Sequence, residues 1–242
     1  MDNHIILLRV NQYLDHPNFP SRKGLYEGKP SWLDIRLDWM EKYTLNNLST
    51  QNDMGFWCFM LCDPKTPESY KIRLKNYEKL GFVKILETNA VFGDEDLEET
   101  NNLILSTYKK VRTNQSDEII CSRLDTDDMV GPNWNNIVKQ TLEANKRVSL
   151  ETVMLYNFIN KETKIINWDR GSFISTKSTL DNFDNPRSFQ HGNSNAAQIQ
   201  TDYPLVCMGI HDNNVTNHNW WGAGRSYPLD AEIFNQMFKI KR

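Results

Sequence analysis

The apolar run GFWCFMLC, residues 55–62, constrains the fold more than any other segment of the chain. Its eight residues include no charged side chain. A strand with one face in water alternates apolar and polar residues, whereas a strand covered on both faces reads as a continuous apolar run. Residues 55–62 therefore predict an interior strand of a sheet that is covered by helices on both sides.

Strand and helix patterns alternate along the sequence up to about residue 145. Strands are predicted at 5–10, 55–62, 82–86 and 118–122, and helices from Ser31, from Thr66 to Gly81, over 94–112 and over 133–144. Ser31 with Asp34 forms a variant of the capping box, Pro67 and Gly81 mark the ends of the second helix, and acidic and basic residues flank the third. The order β-α-β-α-β-α-β-α predicts an α/β fold, with a Rossmann-type, mostly parallel sheet and helices on both faces.

The pattern changes after residue 147. Residues 148–159 and 163–174 predict two strands around a turn at 160–162, and the remaining sequence is rich in Asn, Gly and His with few periodic runs. The length suits one larger domain. We therefore predict a single domain, 1–242, with a regular half at 1–146 and an irregular half at 147–242.

Charge and composition argue against several functions. The chain has 28 Lys and Arg against 31 Asp and Glu, so it lacks the positive excess that nucleic-acid binding needs. No apolar run approaches the roughly 20 residues of a membrane span, and the first residues, MDNHIILLRVN, lack the basic leader of a secretory signal. The cysteines have no metal-type spacing and predict reduced core thiols in a cytoplasmic protein: Cys58, Cys62, Cys121 and Cys207.

Three carboxylates follow the fourth predicted strand, in the segment RLDTDD at 123–128. Ligands of open α/β sheets bind outside the carboxyl ends of the strands. Asp125, Asp127 and Asp128 repel one another if they converge, unless a positive charge lies between them. Mg²⁺ or Mn²⁺ with a bound diphosphate is the simplest partner, and Arg123 is placed to face a phosphate. The alternative is a solvated acidic turn or an N-cap of the next helix.

Two other acidic motifs do not fit this segment. A phosphatase of the haloacid-dehalogenase type needs Thr or Val at the fifth position of D-x-D-x-[T/V], where this chain has Met129. A calcium-binding loop needs Gly at its sixth position, where this chain has Val130. Neither of these two sequence differences excludes a site for a nucleotide sugar.

Three segments together resemble the rhamnosyltransferase family. Residues 32–51, WLDIRLDWMEKYTLNNLSTQ, are similar to its pattern W-L-x-x-R-[LF]-x-x-F-x-x-Y…Q, and CSRLDTDD at 121–128 is similar to S-R-L-D-x-D-D. PLVCMGIHDNNVTN at 204–217 resembles W-L-Q-x-x-H-x-x-N-V. The order and approximate spacing agree. The chain departs from the pattern at Met40, where the family has Phe, and at 205–207, where W-L-Q reads Leu-Val-Cys.

The resemblance implies a glycosyltransferase of GT-A type. It implies a nucleoside-diphosphate sugar as donor, a bound Mn²⁺ or Mg²⁺ ion as cofactor, and a glycan as acceptor. The family name suggests rhamnose as the transferred sugar. Residues 1–146 would then bind the donor and 147–242 the acceptor. Asp127 is the first candidate metal ligand, and His211 is a second by its position in the family segment. Asp125 is expected at the donor's ribose or at a metal-bound water.

Further site residues are expected at strand ends. Arg9 and Asp63 end the first two strands, where a nucleotide's base, ribose or phosphate would lie. The alternatives are a surface ion pair for Arg9 and a turn before Pro64 for Asp63. Arg36, among apolar residues of a helix, is expected to be an internal structural partner.

Transfer with inversion needs a general base for the acceptor hydroxyl. Asp202 and His191 are the candidates, with Asp169 and Asp212 in reserve, and Asp202 is expected to share the rim of the metal site. Two other functions stay open at this point. One is a catalytically inactive domain that binds nucleotides or glycans, and the other is a metal-dependent phosphoester hydrolase.

Overall fold

The computed structural model describes residues 3–11, 32–88, 96–167, 173–188, 195–210, 225–226, 229 and 231–239. The strands are β1 His4–Arg9, β2 Phe56–Cys62, β3 Val83–Glu87, β4 Glu118–Asp125, β5 Asp128–Val130, β6 Arg147–Leu150, β7 Thr152–Asn157, β8 Thr163–Asn167, β9 Ser175–Thr179, β10 Ala197–Ile199, β11 Val206–Ile210 and β12 Arg225–Ser226. The α-helices are α1 Trp32–Trp39, α2 Asn46–Ser49, α3 Glu68–Tyr77, α4 Asp96–Val111, α5 Trp134–Ala144 and α6 Ala231–Met237. A π-helical segment, Met40–Leu45, connects α1 to α2, and short 3₁₀ turns cover Glu78–Leu80 and Pro186–Ser188.

The chain divides into two compact units, and each is built from separated segments. The first unit comprises Met1–Ile35, Gly55–Asp125 and Ser175–Gln190, and the second comprises Arg36–Met54, Thr126–Ile174 and His191–Arg242. The boundary passes through the acidic segment, between Asp125 and Thr126. The division into a donor-binding half at 1–146 and an acceptor-binding half at 147–242 concerns substrates and stays a prediction.

The first unit contains five neighbouring strands of a seven-strand sheet, in the order β9-β4-β1-β2-β3. Strands β4, β1, β2 and β3 run parallel, and β9 pairs with β4 in the antiparallel direction. The apolar run of β2 lies between β1 and β3, and six of its seven residues are buried. This arrangement confirms the predicted α/β fold with a mostly parallel sheet.

Buried side chains on both faces of this sheet explain the continuous apolar runs. Ile5 and Phe59 belong to a core cluster on one face, and Ile6 and Met60 at the alternate positions are fully buried as well. Gly81 ends the helical segment after α3 with a φ of 81°, a conformation that glycine adopts without the steric cost of a Cβ. The predicted stop of that helix is therefore confirmed.

The second unit contains a five-strand sheet in the order β12-β8-β7-β11-β5. Strand β11 runs parallel to β7 and antiparallel to β5, and β7 and β8 form an antiparallel hairpin. Strands β6 and β10 of this unit pair in the parallel direction. An aromatic cluster packs in this unit, with the rings of Trp39 and Phe158 stacked at 5.0 Å and those of Tyr156 and Phe234 at 4.2 Å.

Two strand predictions for this half need correction. Residues 148–159 form two strands, β6 and β7, because the chain bends at Glu151 and the two parts pair with different strands. Strand switching at a bend is a common way to turn a sheet corner. The second predicted strand, 163–174, is described as β8 to Asn167, and its residues 168–172 lie outside the described ranges. The turn at 160–162 is confirmed, with Lys161 at a φ of 63°.

The four cysteines are buried and form no disulfide. Burial raises the pKa of Cys62 to about 12, with the charge of Glu87 adding to the effect. A protonated thiol is a poor nucleophile, so these cysteines are core residues, as predicted. Among the helices that the structure describes, none is long and apolar enough to cross a membrane.

Candidate functional site

In the first unit, Arg9 and Asp125 lie side by side at the carboxyl ends of β1 and β4. The parallel register pairs the two residues, and Arg9 Nη2 donates a hydrogen bond to Asp125 Oδ2 at 2.9 Å. The Arg9 side chain is 18% exposed and that of Asp125 is 31% exposed. The ion pair that was the alternative for Arg9 is therefore present, and a contact of either residue with a nucleotide stays a prediction.

Arg123 precedes Asp125 by two residues in β4. Side chains two positions apart project from the same face of a strand, and Arg123 lies in register with Leu7 of β1. Only 7% of Arg123 is exposed. Its predicted contact with a phosphate stays a prediction.

Asp63 follows β2 and lies in a turn that its own side chain stabilises. Its Oδ1 accepts a hydrogen bond from the backbone N–H of Lys65 at 2.7 Å. The backbone N–H of Asp63 donates to Asn11 Oδ1 at 3.3 Å, which connects this turn to the chain after β1. Asp63 is 8% exposed. The turn role that was its alternative is thus present, and its contact with a base or ribose stays a prediction.

In the second unit, Asp127 is a buried carboxylate held from several sides. It is 5% exposed, and its Oδ1 lies 4.0 Å from Arg36 Nη2, whose side chain is 11% exposed. The backbone carbonyl of Asp127 accepts a hydrogen bond from Gly209 N at 3.1 Å. A buried charge is stable only when an opposite charge or hydrogen bonds compensate it. Arg36, expected to be an internal partner, compensates this carboxylate.

Thr44 fixes the backbone on both sides of Asp127. Its Oγ1 lies 2.9 Å from the carbonyl oxygen of Thr126 and 2.7 Å from that of Asp128. One hydroxyl proton is therefore shared between two acceptors that flank Asp127. Thr44 belongs to the π-helical segment and is 1% exposed. Segments of this kind are rare and often occur at functional sites.

Two more side chains that follow the π-helical segment form hydrogen bonds with the backbone of β5 and of the residues after it. Asn47 Oδ1 accepts from Val130 N at 3.1 Å. Gln51 Nε2 donates to the carbonyl oxygen of Gly131 at 2.8 Å, and its Oε1 accepts from Asn135 N at 3.2 Å. Residues of the segment 32–51 thus hold the backbone of 126–135 by side-chain hydrogen bonds.

The roles of Thr44, Asn47 and Gln51 were not predicted from the sequence. The available signal was their spacing of three and four residues, which places polar side chains on one helical face. That face is buried, since all three residues are at most 5% exposed. Buried polar groups need hydrogen-bond partners, and here the partners are backbone groups of the acidic segment, of β5 and of residues 131–135.

Asp128 and Gly209 define the strand that follows Asp127. Asp128 begins β5 and lies opposite Met208 of β11, so its alternative role as a helix N-cap is wrong; Asn133 precedes α5 instead. A Cβ on Gly209 would lie 2.6 Å from the carbonyl oxygen of Asp127 and would overlap the ring of Phe158. Only glycine permits this close approach without a shift of Asp127 or Phe158.

Asp202 lies near the opposite end of the pairing between β5 and β11. The backbone carbonyl of Asp127 accepts a hydrogen bond from Gly209 N near the end of β11. Gly131 N donates a hydrogen bond to the carbonyl oxygen of Leu205, which precedes β11. Gly131 follows Asp127 by four residue steps through β5, a length of about 14 Å. Asp202 lines a cavity together with Gly131 and Leu205. The structure therefore does not bring Asp202 together with Asp127 at a common rim.

The remaining candidates, His191, His211, Asp169 and Asp212, lie outside the described residues. Within the ranges that are described, no group of three or more His, Cys, Asp or Glu side chains is arranged as a metal cluster. Among the described strands that pair beside Asp127, β11 contains one cysteine, Cys207, whose thiol stays protonated. Burial, with the charge of Asp128 as a further cause, raises the pKa of Cys207 well above its usual value.

Comparison with protein families matches residues 16–170 to the family described as "Putative rhamnosyl transferase". This range is more than half of the chain and includes the segments 32–51 and 121–128. No curated protein matches the chain significantly.

Solved structures similar to the chain include glycosyltransferase structures with low sequence identity. TarS of S. aureus has 12% identity and a TM-score of 0.44, over 100% of this chain and 44% of that one. TarS 1–349 with UDP has 12% identity and a TM-score of 0.36, over 66% and 37%. GalNAc-T7 with UDP, GalNAc and Mn²⁺ has 14% identity and a TM-score of 0.38, over 64% and 23%. The chain thus spans less than half the length of each of these proteins.

Proposed function

The chain belongs to the "Putative rhamnosyl transferase" family, and we propose that it transfers a sugar from a nucleoside-diphosphate donor to a glycan acceptor with a divalent cation. The observation that carries the proposal is Asp127, a buried carboxylate just after a parallel strand, held by Arg36, Thr44 and Gly209. Such a position at the carboxyl end of a strand is where open α/β sheets bind ligands. The proposed donor sugar is rhamnose.

The carboxylate of Asp127 is the oxygen donor that is proposed to bind a Mg²⁺ or Mn²⁺ ion. Both ions prefer oxygen ligands, and Mg²⁺ is commonly held by one or two carboxylates together with substrate phosphates. A cluster of three protein ligands is therefore not required. The 4.0 Å separation from Arg36 exceeds that of a direct charge-assisted hydrogen bond, which is compatible with a cation at the same carboxylate. His211 is the second proposed ligand. When bound, the ion would neutralise charge on the departing nucleoside diphosphate.

The first unit supplies the proposed contacts with the nucleotide. Arg9 and Arg123 offer positive charge at the carboxyl end of β1 and inside β4, where a diphosphate would be attracted. Asp63 is proposed to accept a hydrogen bond from the base or ribose, and Asp125 to contact the ribose or a water on the cation. The acceptor hydroxyl would lose its proton to a base, for which His191 is the proposed residue.

The proposal is tested by the effect of nucleotides on thermal stability. The melting temperature is measured with UDP, dTDP and GDP, each with and without Mn²⁺, for the wild type, for Asp127→Asn and for Asp181→Asn as a control with an exposed carboxylate elsewhere. A ligand that binds only the folded state at one hundred times its Kd stabilises that state by about 2.7 kcal/mol. One nucleotide should raise the melting temperature in a Mn²⁺-dependent way, and Asp127→Asn should abolish that rise.

Transfer is measured in parallel as nucleotide release from dTDP-rhamnose and from UDP-sugars in the presence of glycans. A nucleotide response that is unchanged in Asp127→Asn, or activity that survives excess chelator, would contradict the metal assignment. Nucleotide binding without any release from these donors would instead identify an inactive binding domain.

A further inference from the structure

A cavity of about 710 Å³ opens on the surface of the second unit. Its walls come from the loop between β10 and β11, from the chain before and within α5, and from the end of α6. All of the lining residues belong to the second unit. The cavity adjoins Gly131, about 14 Å along β5 from Asp127, so it is separate from the proposed metal site.

Polar side chains and one exposed aromatic ring meet in this cavity. Tyr203 is 66% exposed, and Asp202 and Gln200 on the same loop are exposed as well. No residue of the described ranges forms a hydrogen bond or ion pair with the side chains of Asp202 or Gln200. Asn133 contributes an amide whose Oδ1 accepts from Asn52 Nδ2 at 2.6 Å. The cavity therefore offers a carboxylate, two amides and a phenol for hydrogen bonding.

The rest of the lining is apolar, and it includes Ile137 and Met237. None of the described residues that line the cavity is Lys or Arg, and Asp202 adds a negative charge. An anionic ligand such as a nucleotide is disfavoured by this charge. A neutral ligand with apolar ring faces and hydroxyl groups at its edge matches both parts of the lining, because the ring can cover Tyr203 while the hydroxyls reach the polar groups.

We propose that this cavity binds a sugar unit of the acceptor glycan, with the pyranose ring on Tyr203 and a hydroxyl bonded to the Asp202 carboxylate. The identification of the ligand as acceptor rests on the proposed function, whereas the binding of a sugar does not. The distance from Asp127 means that the bound unit is remote from the unit that receives the donor sugar. Asp202 then holds the acceptor instead of removing its proton.

Sugar binding is tested directly on the whole chain without a donor. The protein is labelled with ¹³C at its methionine methyl groups, and the signal of Met237 is assigned by its loss in Met237→Leu. Methyl α-L-rhamnopyranoside, methyl α-D-mannopyranoside and methyl β-D-glucopyranoside are then titrated at millimolar concentrations. At least one of them should shift the Met237 signal in a saturable manner.

Two variants test the assigned contacts. Tyr203→Ala and Asp202→Asn should each weaken binding of the active glycoside about tenfold, equivalent to about 1.4 kcal/mol. Ile159→Ala and Asp181→Asn serve as matched controls, since Ile159 is 60% exposed and neither residue lines the cavity. Unchanged far-ultraviolet circular dichroism establishes that each variant is folded. Absence of saturable shifts for all three glycosides, or equal weakening by the controls, would overturn the sugar site.

Transfer kinetics test whether the sugar bound in the cavity belongs to the acceptor. With an active donor and acceptor, Asp202→Asn should raise the KM for the acceptor about tenfold and leave the pH profile of kcat in place. A loss of kcat together with loss of the acidic limb of its pH profile, where a general base becomes protonated, would overturn the binding role and identify Asp202 as the base. A nucleotide response without glycoside binding would support the proposed function and contradict the sugar site in this cavity. Glycoside binding without a nucleotide response would support the sugar site and contradict the proposed function.

Discussion

Two carboxylates that are two residues apart in sequence are held in different ways in the two units. Asp125 pairs with Arg9 at 2.9 Å, through the register of adjacent strands, and both side chains are partly exposed. Asp127 is buried, and Arg36 lies 4.0 Å from its carboxylate. Hydrogen bonds from Thr44 and Gly209 fix the backbone around Asp127. An exposed ion pair contributes little stability, whereas a buried carboxylate depends on each of its partners.

The largest expected effect is that of removing Arg36. Arg36→Met should lower the free energy of unfolding by about 3 kcal/mol, because it leaves the buried carboxylate of Asp127 without a guanidinium. Denaturant unfolding of the single variant and of Arg36→Met/Asp127→Asn measures the effect. The double variant should recover most of the lost stability, since the carboxylate charge that faces Arg36 is also removed. A loss below about 1 kcal/mol for Arg36→Met would remove the contrast between the two carboxylates.

The next largest effect is expected at Gly209. Gly209→Ala should cost about 2 kcal/mol, because its Cβ would overlap Phe158 and press on the carbonyl oxygen of Asp127. Gly131→Ala is the matched control. A Cβ at Gly131 meets Leu205 O at 3.5 Å, an ordinary contact, and its cost should stay below about 0.5 kcal/mol. Equal midpoints of denaturant unfolding for the two variants would contradict the close approach at Gly209.

Thr44→Val should have a smaller effect, with a loss of about 1–2 kcal/mol, because it removes the hydroxyl from two buried carbonyl groups. Thr44→Ser keeps the hydroxyl and should recover most of this stability. Thr141→Val is a control, since the Thr141 hydroxyl bonds only to Ile137 O within α5.

Thr44 also positions Asp127, and this role has its own measurement. The Mn²⁺-dependent nucleotide response should weaken in Thr44→Val and return in Thr44→Ser. A stability loss with an unchanged nucleotide response would show that Thr44 supports the fold alone.

The first unit was predictable from the sequence to a large degree. Its strands are apolar runs such as 55–62, and its helix α3 begins after Pro67 and is followed by a stop at Gly81. The prediction rests on local periodicity, and the parallel register then brings Arg9 next to Asp125. The acidic segment could be located for the same reason, because it follows a strand directly.

The second unit was less predictable because its contacts join distant parts of the sequence. Strand β5 has three residues, too few for a periodic pattern, and it forms by pairing with β11. The bend at Glu151 is likewise decided by which strands β6 and β7 pair with. The contact of Arg36 with Asp127 is a tertiary contact, for which a single sequence contains no spacing signal. The carboxylates of the candidate site could therefore be predicted from local sequence patterns, whereas the residues that surround them could not.

The smallest effect is expected at the exposed pair of the first unit. Arg9→Met should lower the free energy of unfolding by less than about 1 kcal/mol, because solvent screens a pair that is 18% and 31% exposed. The loss should shrink further at 1 M salt, where the Debye length is about 3 Å. A double-mutant cycle with Asp125→Asn at low and high salt measures the coupling. A coupling above about 2 kcal/mol, or one that salt does not reduce, would mean that β1 and β4 depend on this pair as strongly as the second unit depends on Arg36. A weak coupling combined with reduced nucleotide affinity in Arg9→Met would instead indicate that Arg9 serves ligand binding more than the fold.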